Sequence, residues 1–165
     1  MSQAKIDRAL LAAEAELHRL DVPEMVDAAT KLILEGEEGM SLAALAGAER
    51  DLHPADARAL FAAALADLGV ARPTAAEATW RVCVAIAARG AGGRDPLAAA
   101  HEIVGLVDDL AVEDAARVDV AGVPAAYYHL DHLLDYEGTE YAASVPELAK
   151  AKAALVSALA ELASR

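Results

Sequence analysis

Apolar side chains recur along this chain at intervals of three and four residues, the spacing that places them on one face of an α-helix. The central stretch 74–90, TAAEATWRVCVAIAARG, is the least polar, and Glu77 and Arg81 are its only charged positions between 75 and 88. A helix with so narrow a polar stripe needs neighbours around most of its surface. We therefore predict a central apolar helix over about 74–89.

Paired polar residues mark where some of these helices begin. Thr74 and Glu77 stand three positions apart, so each side chain can bond the backbone N–H of the other in a capping box. Ser144 and Glu147 repeat this spacing near the C-terminus. Proline at the first helical position marks further starts. With the apolar periodicity, these signals predict an all-α fold of seven or eight helices, beginning near residues 2, 22, 42, 54, 74, 96, 124 and 145.

The first and last predicted helices each carry a narrow apolar stripe. The stripes consist of Ile6, Leu10, Ala13, Leu17 and Leu20 at one end and of Leu148, Leu155, Leu159 and Leu162 at the other. A stripe of this width resembles a coiled-coil seam and needs a covering surface. We therefore expect the terminal helices to pack on each other or on a second copy, so a homodimer is one predicted state.

Length and composition favour a single domain, residues 1–165, built as an irregular helical bundle around the central helix. Uncharged apolar runs such as 82–88 are far shorter than the roughly 20 residues that a membrane-spanning helix needs. The first residues carry charges throughout, unlike a signal peptide, and the single Cys83 permits no internal disulfide. We expect a cytoplasmic protein without membrane contact and without a cofactor.

Charge provides the main functional signal. A formal net charge of −13 at pH 7 repels phosphate backbones and argues against nucleic-acid binding. The segment 102–140 holds ten acidic residues against Arg117 alone. We therefore predict a non-enzymatic interaction protein, of the adaptor, antitoxin or immunity kind, that recognises a basic partner. The residues predicted to bind it are Glu102, Asp108, Asp109, Glu113 and Asp114.

A basic segment precedes this acidic one. Between 72 and 94, four arginines stand against Glu77 alone. We expect these arginines to pair with acids of packed neighbours, and the alternative is an anion site lined by Arg81 and Arg89.

A cluster of histidines and acids suggests a second kind of function. On a helix, His129 and His132 share a stripe, and His132 lies three residues before Asp135, so an imidazole and a carboxylate could meet. A small helical enzyme or a ligand-binding or metal-binding bundle is the alternative function. Its candidate residues are His101, His129, Asp131, His132 and Asp135. One helix supplies too few ligands for a divalent ion, so we predict no tight metal there.

Single residues of the central region carry structural predictions. Trp80 is expected to anchor the core, and Cys83 to be an inert core thiol. Gly90 stands where a left-handed residue ends a helix. Gly105, inside a predicted helix, indicates a close helix crossing or, alternatively, a ligand pocket.

Four short stretches resemble the pattern of small all-helical bacterial proteins with no known activity. They are Thr79-Trp80-Arg81, the glycine turn 90–94, Asp95-Pro96-Leu97 and Ala100-His101-Glu102-Ile103. The resemblance covers about a third of the chain. It implies an all-helical fold and assigns no function to any residue.

Overall fold

Helices are the only regular secondary structure in the residues that the computed structural model describes, which are 6–48, 52–93, 95–136, 138–139 and 142–165. The predicted all-α class is confirmed for this part of the chain. In chain order the helices are α1 (Arg8–Glu16), α2 (Val22–Leu34), α3 (Met40–Ala46), α4 (Pro54–Asp67), α5 (Ala75–Ala91), α6 (Pro96–Asp108), α7 (Val112–Ala115), α8 (Val123–Asp135) and α9 (Val145–Ala163).

The described residues form nine helices, not the predicted seven or eight. The additional element is α7, which has 4 residues and no buried side chain. A helix of one turn without a buried face leaves no apolar periodicity in the sequence. The prediction missed it for that reason.

Capping boxes start the helices where the sequence predicted them. The Thr74 N–H donates to Glu77 Oε2 at 2.8 Å, and the Glu77 N–H donates to Thr74 Oγ1 at 3.3 Å. At α9 the Ser144 N–H donates to Glu147 Oε2 at 2.7 Å. α2 begins with the same arrangement. These bonds satisfy N–H groups that have no partner inside the helix.

α1 is shorter than predicted and buries a different face. The prediction was 2–20, whereas α1 ends at Glu16, and residues 1–5 lie outside the described residues. His18 follows with a φ of +54°, a left-handed conformation that does not continue a helix. Of the predicted stripe, only Ala13 is fully buried. The partly buried apolar residues of this segment that pack on the core are Ile6, Leu11, Ala15 and Leu20.

Contacts between residues divide the chain into two compact units, an N-terminal unit of Met1–Ala78 and a C-terminal unit of Thr79–Arg165. The division falls inside α5, so the first turn of this helix belongs to one unit and the remainder to the other. The single-domain bundle around the central helix stays a prediction.

Phe61 is the largest fully buried side chain of the N-terminal unit. It lies on α4, which packs against α1, α2 and α3. The predicted apolar face of this helix is confirmed at Phe61, Ala64 and Leu65, which are all buried. Other helices contribute the buried residues Met25, Ala29, Leu32, Leu42 and Leu45 to the same cluster.

In the C-terminal unit α8 packs against α9, and α6 packs against both. Leu155, Leu159 and Leu162 have no exposed surface, so the predicted stripe of α9 is covered within this unit. The apolar side of α1 is likewise covered within its own unit, by α4. Self-association through these stripes stays a prediction.

Two glycines have roles that differ from the predicted ones. Gly90 lies inside α5 instead of ending it, and a Cβ at this position would come within 2.5 Å of the Ala99 Cβ. Glycine is needed there because α5 and α6 approach closely, and not because the backbone turns left-handed. Gly105 is exposed, and nothing lies within 4 Å of a Cβ added to it. The close approach of helices is therefore at Gly90, and the close crossing predicted at Gly105 is wrong.

Trp80 is half-buried and does not occupy the centre of a core. The fully buried side of α5 is formed by smaller side chains, including Val82, Cys83 and Ile86. Cys83 has no exposed surface, as expected for a core thiol. Thr79 is also fully buried, and its Oγ1 has no hydrogen-bond partner among the described residues.

Candidate partner-binding face

α6 and α8 are joined by two polar contacts on the same side of the pair. The Tyr128 hydroxyl lies 3.5 Å from Asp108 Oδ2, at hydrogen-bond distance from the carboxylate. Tyr127, the preceding residue, has its hydroxyl 2.9 Å from His101 Nδ1. On α6, His101 and Asp108 are seven residues apart and lie on nearly the same stripe. The two contacts therefore fix which faces of α6 and α8 meet.

Tyr127 connects these contacts to two more carboxylates. Burial raises the pKa of Tyr127, and the nearby negative charge of Asp131 raises it further, followed by the effects of Tyr128 and Asp135. A phenol in this environment stays protonated, so its hydroxyl is able to take part in the hydrogen bond to His101. Asp131 and Asp135 thus lie close enough to Tyr127 for their charges to act on it.

We call the surface formed by Asp108, Tyr128, Asp131 and Asp135 the acidic tyrosine face. Its four residues come from α6 and α8, and all but Asp131, which is half-buried, are exposed. Within the described parts of the chain, no cation lies within ion-pair distance of its three carboxylates. The face therefore presents negative charge that no cation of the described residues compensates through an ion pair.

The residues predicted to bind a partner are only partly brought together. Asp109 follows Asp108 at the end of α6 and is exposed, and so is Glu113 on α7. Asp114 pairs with Arg117 at 3.3 Å, which neutralises part of its charge. Glu102 is half-buried and lies six residues before Asp108, about 120° away around α6. It faces a different direction from the acidic tyrosine face.

The histidines of the alternative site lie in different surroundings. The ring of His132 packs edge-on against Tyr136, with ring centroids 5.1 Å apart. His129 is exposed and lies two residues from Asp131, so the two side chains leave α8 in different directions. His101 contacts Tyr127 across the α6–α8 interface. In the residues that the structure covers, no three His, Cys, Asp or Glu side chains form a group that could hold a metal ion.

Arg81 and Arg89 are both exposed on α5. Neither has a carboxylate within ion-pair distance in the described portion of the chain, so the expected pairing with packed neighbours does not occur for these two. Arg72 does pair as expected, with Glu16. An anion site at Arg81 and Arg89 stays a prediction.

Sequence reasoning missed a cavity of about 360 Å³ that opens at the surface of the N-terminal unit. It lies between α1, α4 and the segment 70–73, and alanines form much of its wall. The one signal for it was the occurrence of alanine on the facing sides of two helices. In a chain where alanine is the commonest residue, that signal does not stand out.

No protein-family model, curated protein or solved structure matches this chain. Among the described residues, no helix combines the length and the apolar character needed to cross a membrane.

Proposed function

We propose that this protein is a non-enzymatic interaction protein, adaptor-, antitoxin- or immunity-like, that binds a basic protein partner through the acidic tyrosine face. The observation that carries the proposal is the 3.5 Å approach of the Tyr128 hydroxyl to Asp108, which joins the acids of α6 and α8 into one surface. Asp109 and Glu113 extend this surface along the chain.

The carboxylates of the acidic tyrosine face support the proposal of a basic partner. Asp108, Asp131 and Asp135 have no cation within ion-pair distance in the described residues, so a lysine or arginine of a partner gains an interaction without displacing an internal one. Such complementarity speeds association and rejects acidic proteins. Repulsion between like charges also opposes a homodimer formed through this face.

Exposed tyrosines support a protein partner over a small cation. Tyr128 is 53% exposed and Tyr136 is 40% exposed, although both side chains have large apolar rings. Tyrosine is enriched where protein interfaces bury most of their binding energy, because its ring fills a pocket while its hydroxyl keeps a polar contact. Arginine side chains of a partner also stack well on such rings. Tyr128 is therefore the expected centre of the contact.

The proposal is tested by reversing charge on the face. Asp108 and Asp135 both lie at the C-terminal ends of helices, where lysine interacts favourably with the helix dipole. Asp108→Lys/Asp135→Lys should therefore keep the helical circular-dichroism spectrum while abolishing binding. The measurement is affinity capture from extracts of the source cells, followed by titration of the purified partner at two salt concentrations.

A matched control is Glu38→Lys/Asp56→Lys, which makes the same change in net charge on exposed acids of the N-terminal unit. We expect it to retain the partner. Tyr128→Ala should weaken binding at least tenfold, in line with the loss of a central aromatic contact. A partner that the reversed protein retains equally at low and high salt would show the proposal to be wrong.

A further inference from the structure

The cavity of the N-terminal unit exists because the facing sides of α1 and α4 carry small side chains. Its wall includes Ala12 and Ala15 on α1 and Ala59, Ala62 and Ala66 on α4. Helices that cross through alanine leave space that larger side chains would fill. The cavity is open to solvent, since Ala59, Ala62 and Ala66 are exposed, and its volume is about 360 Å³. It corresponds to about twelve water-sized groups.

An ion pair forms one wall of this cavity. Arg72 donates from Nε to Glu16 Oε2 at 2.7 Å and from Nη2 to Glu16 Oε1 at 3.0 Å. This two-point contact holds the segment 70–73 against α1. The hydrogen bond from Arg72 also lowers the pKa of Glu16, so both partners stay charged and neutralise each other at neutral pH. The pair therefore adds polarity to the wall and no net charge.

Arg58 supplies the uncompensated charge of the cavity. Its side chain is exposed at the wall, and within the described residues no carboxylate lies within ion-pair distance of it. It also lines a second cavity of about 480 Å³, whose wall includes Leu20, Pro23 and the carboxylate of Asp21. With Glu16 neutralised by Arg72, the cavity carries positive charge in a chain whose net charge is −13. A cation at the edge of an apolar cavity matches an anionic head group with an apolar tail.

We propose that this cavity binds a small amphipathic anion, a monocarboxylate with an apolar tail of about eight carbons, a length set by the volume of about twelve water-sized groups. The carboxylate contacts Arg58, and the tail lies against the alanines of α1 and α4 and against Leu65 and Val70. Arginine matches a carboxylate with two parallel N–H donors. Ligand sites of this kind are mostly apolar with a few placed polar groups.

The test uses octanoate as the anionic probe and 1-octanol and octylammonium as probes with the same number of carbons and a different head group. Binding to the full chain is followed by calorimetry and by backbone amide shifts in nuclear magnetic resonance. Octanoate should bind with a dissociation constant below about 1 mM and shift the amides of Ala15, Ala62 and Val70. Octanol should bind at least fivefold more weakly, and octylammonium should not bind.

Two variants test the contact of the carboxylate head group and the contact of the apolar tail separately. Arg58→Gln should weaken octanoate at least fivefold and bring its affinity to that of octanol, while the control Lys152→Gln, which removes an exposed positive charge from α9, should change nothing. Ala62→Phe should fill the cavity and abolish binding of every probe. Because Arg58 is exposed, its variant tests the proposal even if Ala62→Phe does not fold. Equal binding of the three probes, full octanoate affinity in Arg58→Gln, or no saturable binding of octanoate up to 10 mM would each overturn the proposal.

Discussion

The two units carry almost the same charge and differ in how much of it is held in ion pairs. Each has seven basic residues, and the N-terminal unit has fourteen acids where the C-terminal unit has thirteen. In the N-terminal unit arginines reach acids far away in the sequence, as Arg72 does with Glu16 and Arg8 with Glu37. The C-terminal unit has such a pair between Arg165 and Asp119, but the carboxylates around Tyr128 stay without an ion pair in the described residues. Net charge therefore does not distinguish the two units, whereas the position of the carboxylates without an ion pair does.

Small residues also have opposite effects in the two units. Between α1 and α4, alanines leave a cavity of about 360 Å³. Between α5 and α6, Gly90 and Ala99 allow the two backbones to approach so closely that a Cβ at Gly90 would overlap the Ala99 Cβ. Small residues thus leave a cavity between one pair of helices and allow a close contact between the other pair. The difference lies in how closely the helices approach.

Phe61→Ala should have the largest effect, a loss of about 3–5 kcal/mol of unfolding free energy, because it empties the centre of the N-terminal core. Trp80→Ala should cost less, about 1–2 kcal/mol, since this side chain is only half-buried. The measurement is chemical denaturation followed by circular dichroism for both variants and, for Phe61→Ala, also by the fluorescence of Trp80. If the chain is a single domain, both signals of Phe61→Ala shift together. Separate transitions would show that the two units unfold independently.

Gly90→Ala should lower the unfolding free energy by about 1–3 kcal/mol, because the added methyl overlaps Ala99 and the helices have to separate. Gly105→Ala is the matched control. Its methyl meets nothing within 4 Å, so the gain in helix propensity should raise stability by up to about 1 kcal/mol. Thermal melts of both variants check the contrast. Equal changes in melting temperature for the two variants would contradict the difference in packing around Gly90 and Gly105.

Thr79→Val should raise the unfolding free energy by about 1 kcal/mol, because it replaces a buried hydroxyl that lacks a hydrogen bond with a methyl of similar shape. Thr79→Ser keeps the hydroxyl and removes a methyl, so it should be destabilising. Denaturation at neutral pH measures both. A loss of stability in Thr79→Val would mean that the hydroxyl has a stabilising contact.

The smallest expected effect is the pH dependence of the Glu16–Arg72 pair. The folded-state pKa of Glu16 is lowered, first of all by the hydrogen bond from Arg72, so the pair stabilises the fold above the unfolded pKa of about 4.3. That stability is lost as pH falls through the lowered folded pKa. Glu16→Gln should therefore be less stable than the parent at pH 7 and lose this difference on acidification.

Asp108→Asn provides the comparison from the other unit. This carboxylate has no ion pair in the described residues, so removing it should cause no loss of stability at pH 7. Melting temperatures between pH 7 and pH 3 test both variants. A stability loss in Asp108→Asn as large as that in Glu16→Gln would contradict the contrast between paired and unpaired acids.

The candidate surface was partly predictable. The segment 102–140, with its concentration of acids, includes all three carboxylates of the acidic tyrosine face. The sequence did not show that Tyr128 of α8 meets Asp108 of α6, or that Tyr127 meets His101. Those relations depend on which faces of α6 and α8 meet, and contact between helices has no fixed period in the sequence.

The sequence by itself determined the helices and most of their starts. The boxes at Thr74 and Ser144 and the buried face of α4 around Phe61 involve residues only three or four positions apart, so local spacing specifies them. The tertiary structure alone decided the close contact at Gly90 and the cavity beside Arg58. It also decided the polar contacts that span longer separations, such as the 56 residues between Glu16 and Arg72. Helical periodicity states which face of a helix is buried, but the partner of that face is chosen by packing across the whole unit.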